Sequence, residues 1–195
     1  MRVKEGNKEK DIIEASIKVF AESGYHKAKI SKIAEVAGVA TGSVYVYFED
    51  KEDILLQIFS KIWTKLYDEL LAVRNNSSLS PMDKFDAMID LIFDVYTENP
   101  PLAMVYVNEQ SHLQRSAQER FTTFYEKFMN VGEDIIAEGI DNGVFSETLD
   151  VGILRYYVFG AIRNLLQHWA IDPKTFPLNK IRQSIKQLTK NGIKK

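Results

Sequence analysis

The chain has 195 residues, 45% of them hydrophobic, which suffices for one ordinary core with a small module attached. The absence of cysteine excludes disulfides and thiolate metal sites, and the net charge of −2 does not by itself indicate a nucleic-acid-binding protein. The N-terminus is polar and no apolar run reaches the roughly 18 residues of a membrane span, so we expect a soluble cytoplasmic protein without a signal peptide.

The first quarter of the chain predicts three helices. Apolar residues recur at helical spacing from Ile12, and Gly24 is placed to end that helix. A short helix follows from Ser31 to Ala37, closed by Gly38, and another runs from about Thr41 to Phe48.

The rest of the chain predicts longer helices and no convincing strand or repeat. Ser80-Pro81-Met82-Asp83 is typical of a helix start, with a capping serine, a proline in the first turn and an early acid. The segment from Leu102 to about Arg115 fits either one helix or two short ones. The other helices begin at Lys51, near Phe121, after Asp150 and near Leu178, and breaks fall at Asn99-Pro100-Pro101, Asn142-Gly143 and Asp172-Pro173.

The stretch IAEVAGVATGSVYVYF, from Ile33 to Phe48, predicts a helix-turn-helix, because two short helices meet at a tight turn around Gly38. The second helix starts with small residues that let its backbone lie against DNA in the major groove. Its hydroxyls can donate to phosphates, and cations lie around the motif. These residues are Thr41, Gly42 and Ser43 at the start, Ser43, Tyr45 and Tyr47 as hydroxyl donors, and Arg2, Lys4, Lys27, Lys29, Lys32 and Lys51 as cations.

The spacing IA-x-x-AGV-x-x-GS-x-Y-x-YF-x-x-K-x-x-x-L, from Ile33 to Leu55, resembles the signature of TetR/AcrR-family transcriptional regulators. The resemblance implies an all-α fold, a homodimer and a near-palindromic double-stranded DNA operator. It also implies a repressor that releases this operator when a small molecule enters the C-terminal domain. We therefore expect a helix-turn-helix DNA-binding domain over residues 1–50 and a ligand-binding and dimerisation domain over 51–195.

The resemblance also distributes roles within the DNA-binding domain. Many members carry a capping threonine where this chain has Lys29, so we expect Ser31 to cap the second helix instead. Phe48 is better explained as a core residue, whereas for Tyr45 a core role and a DNA role stay open. The resulting DNA-binding candidates are Thr41, Gly42 and Tyr45 nearest base edges, Ser43, Tyr47 and Lys51 on phosphates, and Lys29, Ser31 and Lys32 beside them.

A second resemblance points to the FadR-like branch of the family. It rests on Gly24-Tyr25-His26, Ile30–Ala34, Lys51–Leu55, Glu138-Gly139-Ile140, Phe159-Gly160 and Trp169. The chain departs from that branch at Arg163 and Asn164, where the branch tends to carry acids. The resemblance implies a long-chain fatty acyl-CoA effector, which would suit an apolar tunnel lined by Phe, Tyr and Met. Arginines would bind the CoA phosphates. The ligand-binding candidates are Phe93, Tyr96, Met104, Glu109, His112, Arg115, Arg120, Phe124, Phe128, Tyr157 and Arg163. The alternative for the aromatic and Met residues is that they form plain core.

Other classes of protein have less support in the sequence. No nucleophile–base or phosphate-loop motif supports an enzyme, no cofactor is expected, and His112 and His168 are isolated, so no metal site is predicted. A multidrug-type sensor, a DNA-binding structural or division-control protein without an inducer, and a ligand-binding protein with a vestigial helix-turn-helix stay as alternatives. We expect the last two long helices to form the dimer, because they carry more apolar surface than one small domain readily hides, although part of it must face the monomer core. The residues that offer this surface are Leu154, Val158, Ile162, Ile181, Ile185 and Leu188.

Overall fold

A computed structural model describes residues 8–194, and within this range the chain forms nine α-helices, as the all-α prediction requires. Arg2 and Lys4 lie outside the described residues. No helix in the described range is long and apolar enough to cross a membrane. The helices are α1 (Lys8–Ser23), α2 (Ile30–Ala37), α3 (Thr41–Tyr47), α4 (Lys51–Arg74), α5 (Pro81–Glu98), α6 (Pro100–Ser116), α7 (Gln118–Asp141), α8 (Val151–Ile171) and α9 (Leu178–Ile193).

Local chemistry sets several helix ends where the sequence predicts them. Gly24 and Gly38 follow α1 and α2 with φ of 74° and 68°, a left-handed conformation that glycine adopts without strain. Before α5, the hydroxyl of Ser80 accepts from the backbone N–H of Asp83 at 3.2 Å, and the Asp83 carboxylate accepts from the Ser80 N–H at 3.3 Å. This reciprocal pair is a capping box with aspartate in place of glutamate.

The helices α6 and α2 begin in different ways. The segment after Asn99 forms one helix, α6, which begins directly at Pro100, where proline's missing N–H costs nothing. The Asn99 side chain caps it by accepting from the N–H of Leu102 at 3.3 Å. The expectation that Ser31 caps α2 is wrong, because α2 begins at Ile30 and Lys29 occupies the cap position without a side-chain hydrogen bond.

The described chain divides into two compact units. The first holds residues up to Lys61 together with Asn99–Phe121, and the second holds Ile62–Glu98 and the residues from Thr122 onward. This division differs from the expected boundary after residue 50, because α6 packs on α1 within the first unit. That functional boundary stays a prediction.

In the first unit, the short helices share a core with α1, α6 and the start of α4. Phe20, Ile33 and Phe48 are almost fully buried, and they hold α2 and α3 against α1. The rings of Phe59 on α4 and Tyr106 on α6 stack with centroids 6.0 Å apart. Burying side chains of this size supplies roughly 1.5–3 kcal/mol each, which is how such short helices persist.

In the second unit, α9 is fixed on α5 by charge as well as by apolar contact. Three basic residues at four-residue steps on α9 face three aspartates at the same spacing on α5. The Lys186 ammonium lies 2.8 Å from the Asp90 carboxylate, for example. The ladder consists of Arg182, Lys186 and Lys190 on α9 and Asp86, Asp90 and Asp94 on α5.

The last two long helices present their apolar residues differently from the sequence-based expectation. Leu154, Val158 and Ile162 on α8 and Ile181 and Ile185 on α9 are at most 9% exposed within the chain itself, so they belong to its own core. Of the six residues expected to offer a dimer surface, Leu188 alone is exposed. The exposed apolar residues of these helices are Ile153, Tyr156, Tyr157, Ile171 and Leu188.

Candidate nucleic-acid interface and apolar cavity

The helix-turn-helix predicted from the sequence is present in the first unit. Gly38 closes α2 with its N–H directed to the Glu35 carbonyl at 3.2 Å, and the next N–H, of Val39, donates to the Ala34 carbonyl at 3.0 Å. α3 follows at once, anchored by Val44, which is 1% exposed, and by Phe48 just beyond its end, which is 2% exposed. The core role expected for Phe48 is therefore confirmed.

The remaining faces of α3 are open to solvent. Tyr45 is 57% exposed and Tyr47 is 37% exposed, so the fold of this chain does not use the tyrosine rings as core. Thr41 and Gly42 are also exposed, and Ser43 is half-buried. The structure thus brings these five residues onto one accessible short helix, which is where a recognition helix needs them. Their contact with DNA stays a prediction.

The candidates on and before α2 are exposed as well. Lys29 and Ser31 are open to solvent. The ammonium of Lys32 donates to the Glu35 carboxylate at 2.6 Å, a surface ion pair that a competing phosphate can replace at little cost. These residues remain free to meet a phosphate, and their role stays a prediction.

Lys51 has partners inside the protein that the sequence did not indicate. Its ammonium donates to the backbone carbonyls of Tyr25 at 2.6 Å, Ala28 at 3.1 Å and His26 at 3.2 Å. The same group lies 4.5 Å from the centre of the Tyr25 ring. An ammonium has three protons, and these three carbonyls occupy all of them. Lys51 therefore fastens the loop between α1 and α2 to the first turn of α4.

Two of the expected ligand residues instead connect α6 to this loop. The Glu109 carboxylate, 7% exposed, accepts from the backbone N–H of Tyr25 at 3.2 Å. The His112 ring lies 4.8 Å from the Tyr25 ring, and its Nε2 lies 3.5 Å from the Glu52 carboxylate. Burial, together with the charges of Glu52, Asp50 and Glu109, raises the pKa of Tyr25 to about 12, so the phenol stays neutral.

A third expected ligand residue, Arg120, pairs with α4 in the same unit. Its guanidinium donates to the Asp53 carboxylate at 3.1 Å, and that carboxylate also accepts from the backbone N–H of Glu49 at 3.2 Å. Asp53 is 9% exposed and lies in the first turn of α4. Together these contacts place α6 and the start of α7 against the segments that carry α2 and α3.

The second unit contains an apolar cavity between α5, α7 and α8. Its volume is about 20 Å³, roughly the space that one water molecule needs. Gly132 lies in its wall, and a methyl group at this position would come within 3.0 Å of the Met88 sulfur. The lining residues are Phe85, Met88, Met129, Gly132, Glu133, Ile136, Val151, Leu154, Arg155, Val158 and Phe159.

The charged part of the cavity wall is an arginine with two carboxylate partners. Arg155, whose side chain is 11% exposed, donates to Glu126 at 2.6 Å and to Glu133 at 2.9 Å. Burial lowers the pKa of Arg155, but the hydrogen bonds to the two carboxylates and their negative charges together outweigh it, so the pKa is raised. One guanidinium with two carboxylates leaves the cluster with a net charge of −1, so a free carboxylate in the cavity would be repelled.

None of the ligand-binding residues expected from the sequence lines this cavity. Phe93, Tyr96 and Phe128 are buried elsewhere in the second unit, where Tyr157 is exposed and Phe124 and Arg163 are half-buried. Met104 and Arg115 belong to the first unit. Sequence reasoning missed the lining residues, although Gly132 carries a signal. A glycine inside a long helix costs about 1 kcal/mol, which favours a position where a side chain does not fit.

Two protein-family models together match nearly the whole chain. Residues 12–58 match the model of bacterial regulatory proteins of the tetR family, and residues 60–192 match that of the YsiA-like protein, C-terminal region. The fatty acid metabolism regulator protein of Bacillus subtilis is 30% identical over 182 residues, 93% of each chain.

Two solved structures are similar over the full length. The fatty acid degradation regulator FadR from Bacillus halodurans has a TM-score of 0.85 and 29% identity, with 97% of this chain and 98% of that one covered. FadR from Bacillus subtilis, in complex with stearoyl-CoA, has a TM-score of 0.83 and 30% identity, with 94% and 98% covered.

Proposed function

Because the chain belongs to the tetR family of bacterial regulatory proteins, we propose that it is a transcriptional repressor that releases its DNA operator when an apolar effector binds. The observation that carries this proposal is α3, a short helix anchored by Val44 and Phe48 with its polar, small and tyrosine residues left exposed. As a regulator of transcription it would act in the cytoplasm, where the operator DNA is.

A long-chain acyl-CoA is the proposed effector. A relative of 30% identity binds stearoyl-CoA, and the apolar cavity of the second unit offers a place for an acyl chain. The cavity itself measures about 20 Å³, little more than the space of one water molecule and far below the size of a ligand pocket, so a long chain can enter only if the cavity widens. Met88 and Met129 in its wall are flexible enough to move aside. The net negative Arg155 cluster disfavours a free fatty acid whose carboxylate would enter the cavity.

Release of the DNA requires that the effector bind one conformation better than another. α4 is a single helix that begins at Lys51 in the first unit and continues into the second. Its first turn holds the loop before α2 through Lys51 and holds α7 through Asp53. A shift of α4 or α6 would therefore move the loop that leads into the helix-turn-helix. A coupling of roughly 1–3 kcal/mol, usual for allosteric proteins, is enough to weaken DNA binding substantially.

A homodimer is part of the proposal, through the two helices expected from the sequence but with other residues of α8. Ile153, Tyr156 and Tyr157 form an exposed apolar stripe along α8, and Leu188 is exposed on α9. A dimer that binds a near-palindromic operator must hold its two α3 helices roughly 34 Å apart, since this is the distance between successive major grooves on one side of DNA. Tyr156→Glu should yield a monomer in light scattering that keeps its helical content, and a dimer of this variant would exclude the surface.

The effector is tested by titrating acyl-CoAs, free fatty acids and planar aromatic cations against the complex with a bound genomic fragment. We expect long-chain acyl-CoAs to weaken the complex at micromolar concentration. Gly132→Leu, which fills the cavity, should keep DNA binding and lose this response, whereas Ala137→Leu, at an exposed position of the same helix, should retain it. A response to cations but not to acyl-CoAs would replace this proposal with a multidrug-type sensor.

A further inference from the structure

Val46 occupies the centre of the exposed face of α3. Successive residues of an α-helix are about 100° apart, so the side opposite the buried Val44 and Phe48 is the side of Val46 and Gly42. Val46 is 77% exposed, although valine is a residue that proteins usually bury. The fold of the described chain therefore gives this side chain no apolar partner.

The other residues of α3 restrict how it can recognise bases. Its sequence, TGSVYVY, lacks Arg and Lys, which read guanine, Asn and Gln, which read adenine, and Asp and Glu, which read cytosine. What remains is hydroxyl groups and apolar surface. The apolar group that the major groove presents is the 5-methyl of thymine. A helix of this composition is suited to reading A·T pairs through that methyl group.

Gly42, one turn before Val46, has no evident internal reason to be glycine. A methyl group at this position would meet nothing within 4 Å, and its φ is not in the left-handed region. A glycine inside a helix costs about 1 kcal/mol relative to alanine. Its benefit is therefore external, because the absence of a side chain lets another molecule approach the helix backbone closely.

We propose that Val46 contacts thymine 5-methyl groups in the major groove, with Gly42 permitting the close approach, so that each operator half-site presents A·T pairs to α3. This inference rests on the proposed function, since it requires that α3 enter the major groove of DNA. It goes beyond that function in naming the chemical group that specifies the operator.

The test begins with selection of bound sites from random duplexes by the full-length protein. Each thymine of one half-site is then replaced by deoxyuridine, which removes the 5-methyl group and keeps the pairing. We expect one or two positions at which wild type loses affinity about fourfold, the value of one buried methyl-sized group. Val46→Ala should bind the unmodified site about fourfold to tenfold more weakly and should be insensitive to deoxyuridine at those positions.

Val36→Ala is the matched control, because Val36 is an exposed valine on α2, outside the recognition helix. It should keep the full deoxyuridine penalty. Alanine favours the helix more than valine does, so neither variant should lose its fold. A Val46→Ala profile equal to that of wild type, or selected sites without thymine opposite α3, would overturn the inference while leaving the repressor intact. Failure of wild type to bind any duplex would overturn the proposed function as well.

Discussion

Replacing Lys51 by methionine distinguishes two roles for this residue, a phosphate contact and a fastening of the α1–α2 loop. Methionine keeps most of the side-chain length and removes the ammonium, which donates to three carbonyls at 2.6, 3.1 and 3.2 Å. A hydrogen bond from a charged donor contributes about 1.5–3 kcal/mol when its partner is left unsatisfied. The His26 contact is exposed and the Tyr25 and Ala28 contacts are only part-buried, so water replaces most of the lost hydrogen bonding. We therefore expect the unfolding free energy to fall by the value of about one such bond, roughly 2 kcal/mol.

The expected loss corresponds to a fall in Tm of roughly 4–8 °C for a chain of this size. DNA affinity should also fall, because the loop leads into α2, but the dependence of log Kd on log salt should keep its slope. A lysine that meets one phosphate instead contributes about one unit to that slope. The measurements are thermal unfolding and DNA binding between about 50 and 200 mM salt.

Lys29→Met is the control, since Lys29 is exposed and makes no capping hydrogen bond. It should leave Tm unchanged, and any effect on DNA should appear in the salt slope. If Lys51→Met were as stable as wild type and lowered the slope by about one unit, the loop-fastening role would be refuted. The phosphate role that the sequence indicates would then be correct.

Two further predictions concern stability. Gly139→Ala should lower the free energy of unfolding by about 1–3 kcal/mol, because the added methyl would lie 2.1 Å from the ring of buried Phe145. The control is Gly192→Ala, whose added methyl would meet nothing within 4 Å, and it should be neutral or slightly stabilising in thermal unfolding. Hydrogen bonds from the Ser80 side chain and backbone lower the pKa of Asp83 below the ordinary aspartate value of 3.8. The Asp83 carboxylate therefore stabilises the fold at neutral pH, and this contribution is lost as the pH falls below 3.8 and through the lowered pKa of the folded state. Asp83→Asn should therefore be less stable than wild type at pH 7 and equal to it in strong acid, and a constant difference across pH would contradict the linkage.

The local sequence determined most of the helix boundaries. Gly24, Gly38, Ser80 and Asp150 act on residues within one turn of themselves, so their effect can be read without knowing the fold. The helix-turn-helix was predictable for the same reason, because α2, its glycine turn and α3 span fewer than twenty consecutive residues. The prediction that Ser31 caps α2 was wrong, because the helix already begins at Ile30, one residue before it.

Tertiary structure decided which side of each long helix faces inward. Two apolar stripes run side by side along α8, one with Leu154 and Val158 and the other with Ile153 and Tyr157. The two stripes are similarly apolar in sequence, and only packing against the other helices buries the first and leaves the second exposed. The cavity follows from that choice, since Leu154 and Val158 are part of its wall. Periodicity gives the helix but not its rotation about its own axis when apolar residues extend around much of its surface.

Contacts between residues far apart in the chain could not be predicted from the sequence either. Lys51 meets the carbonyl of Tyr25 across 26 positions, and Glu109 meets the N–H of the same tyrosine across 84. Backbone carbonyls and N–H groups occur at almost every residue, so no side-chain pattern marks the ones that a distant charge will bind. The sequence therefore determined that Lys51 and Glu109 carry charge, and only the packing of α4 and α6 beside the α1–α2 loop determined what those charges hold.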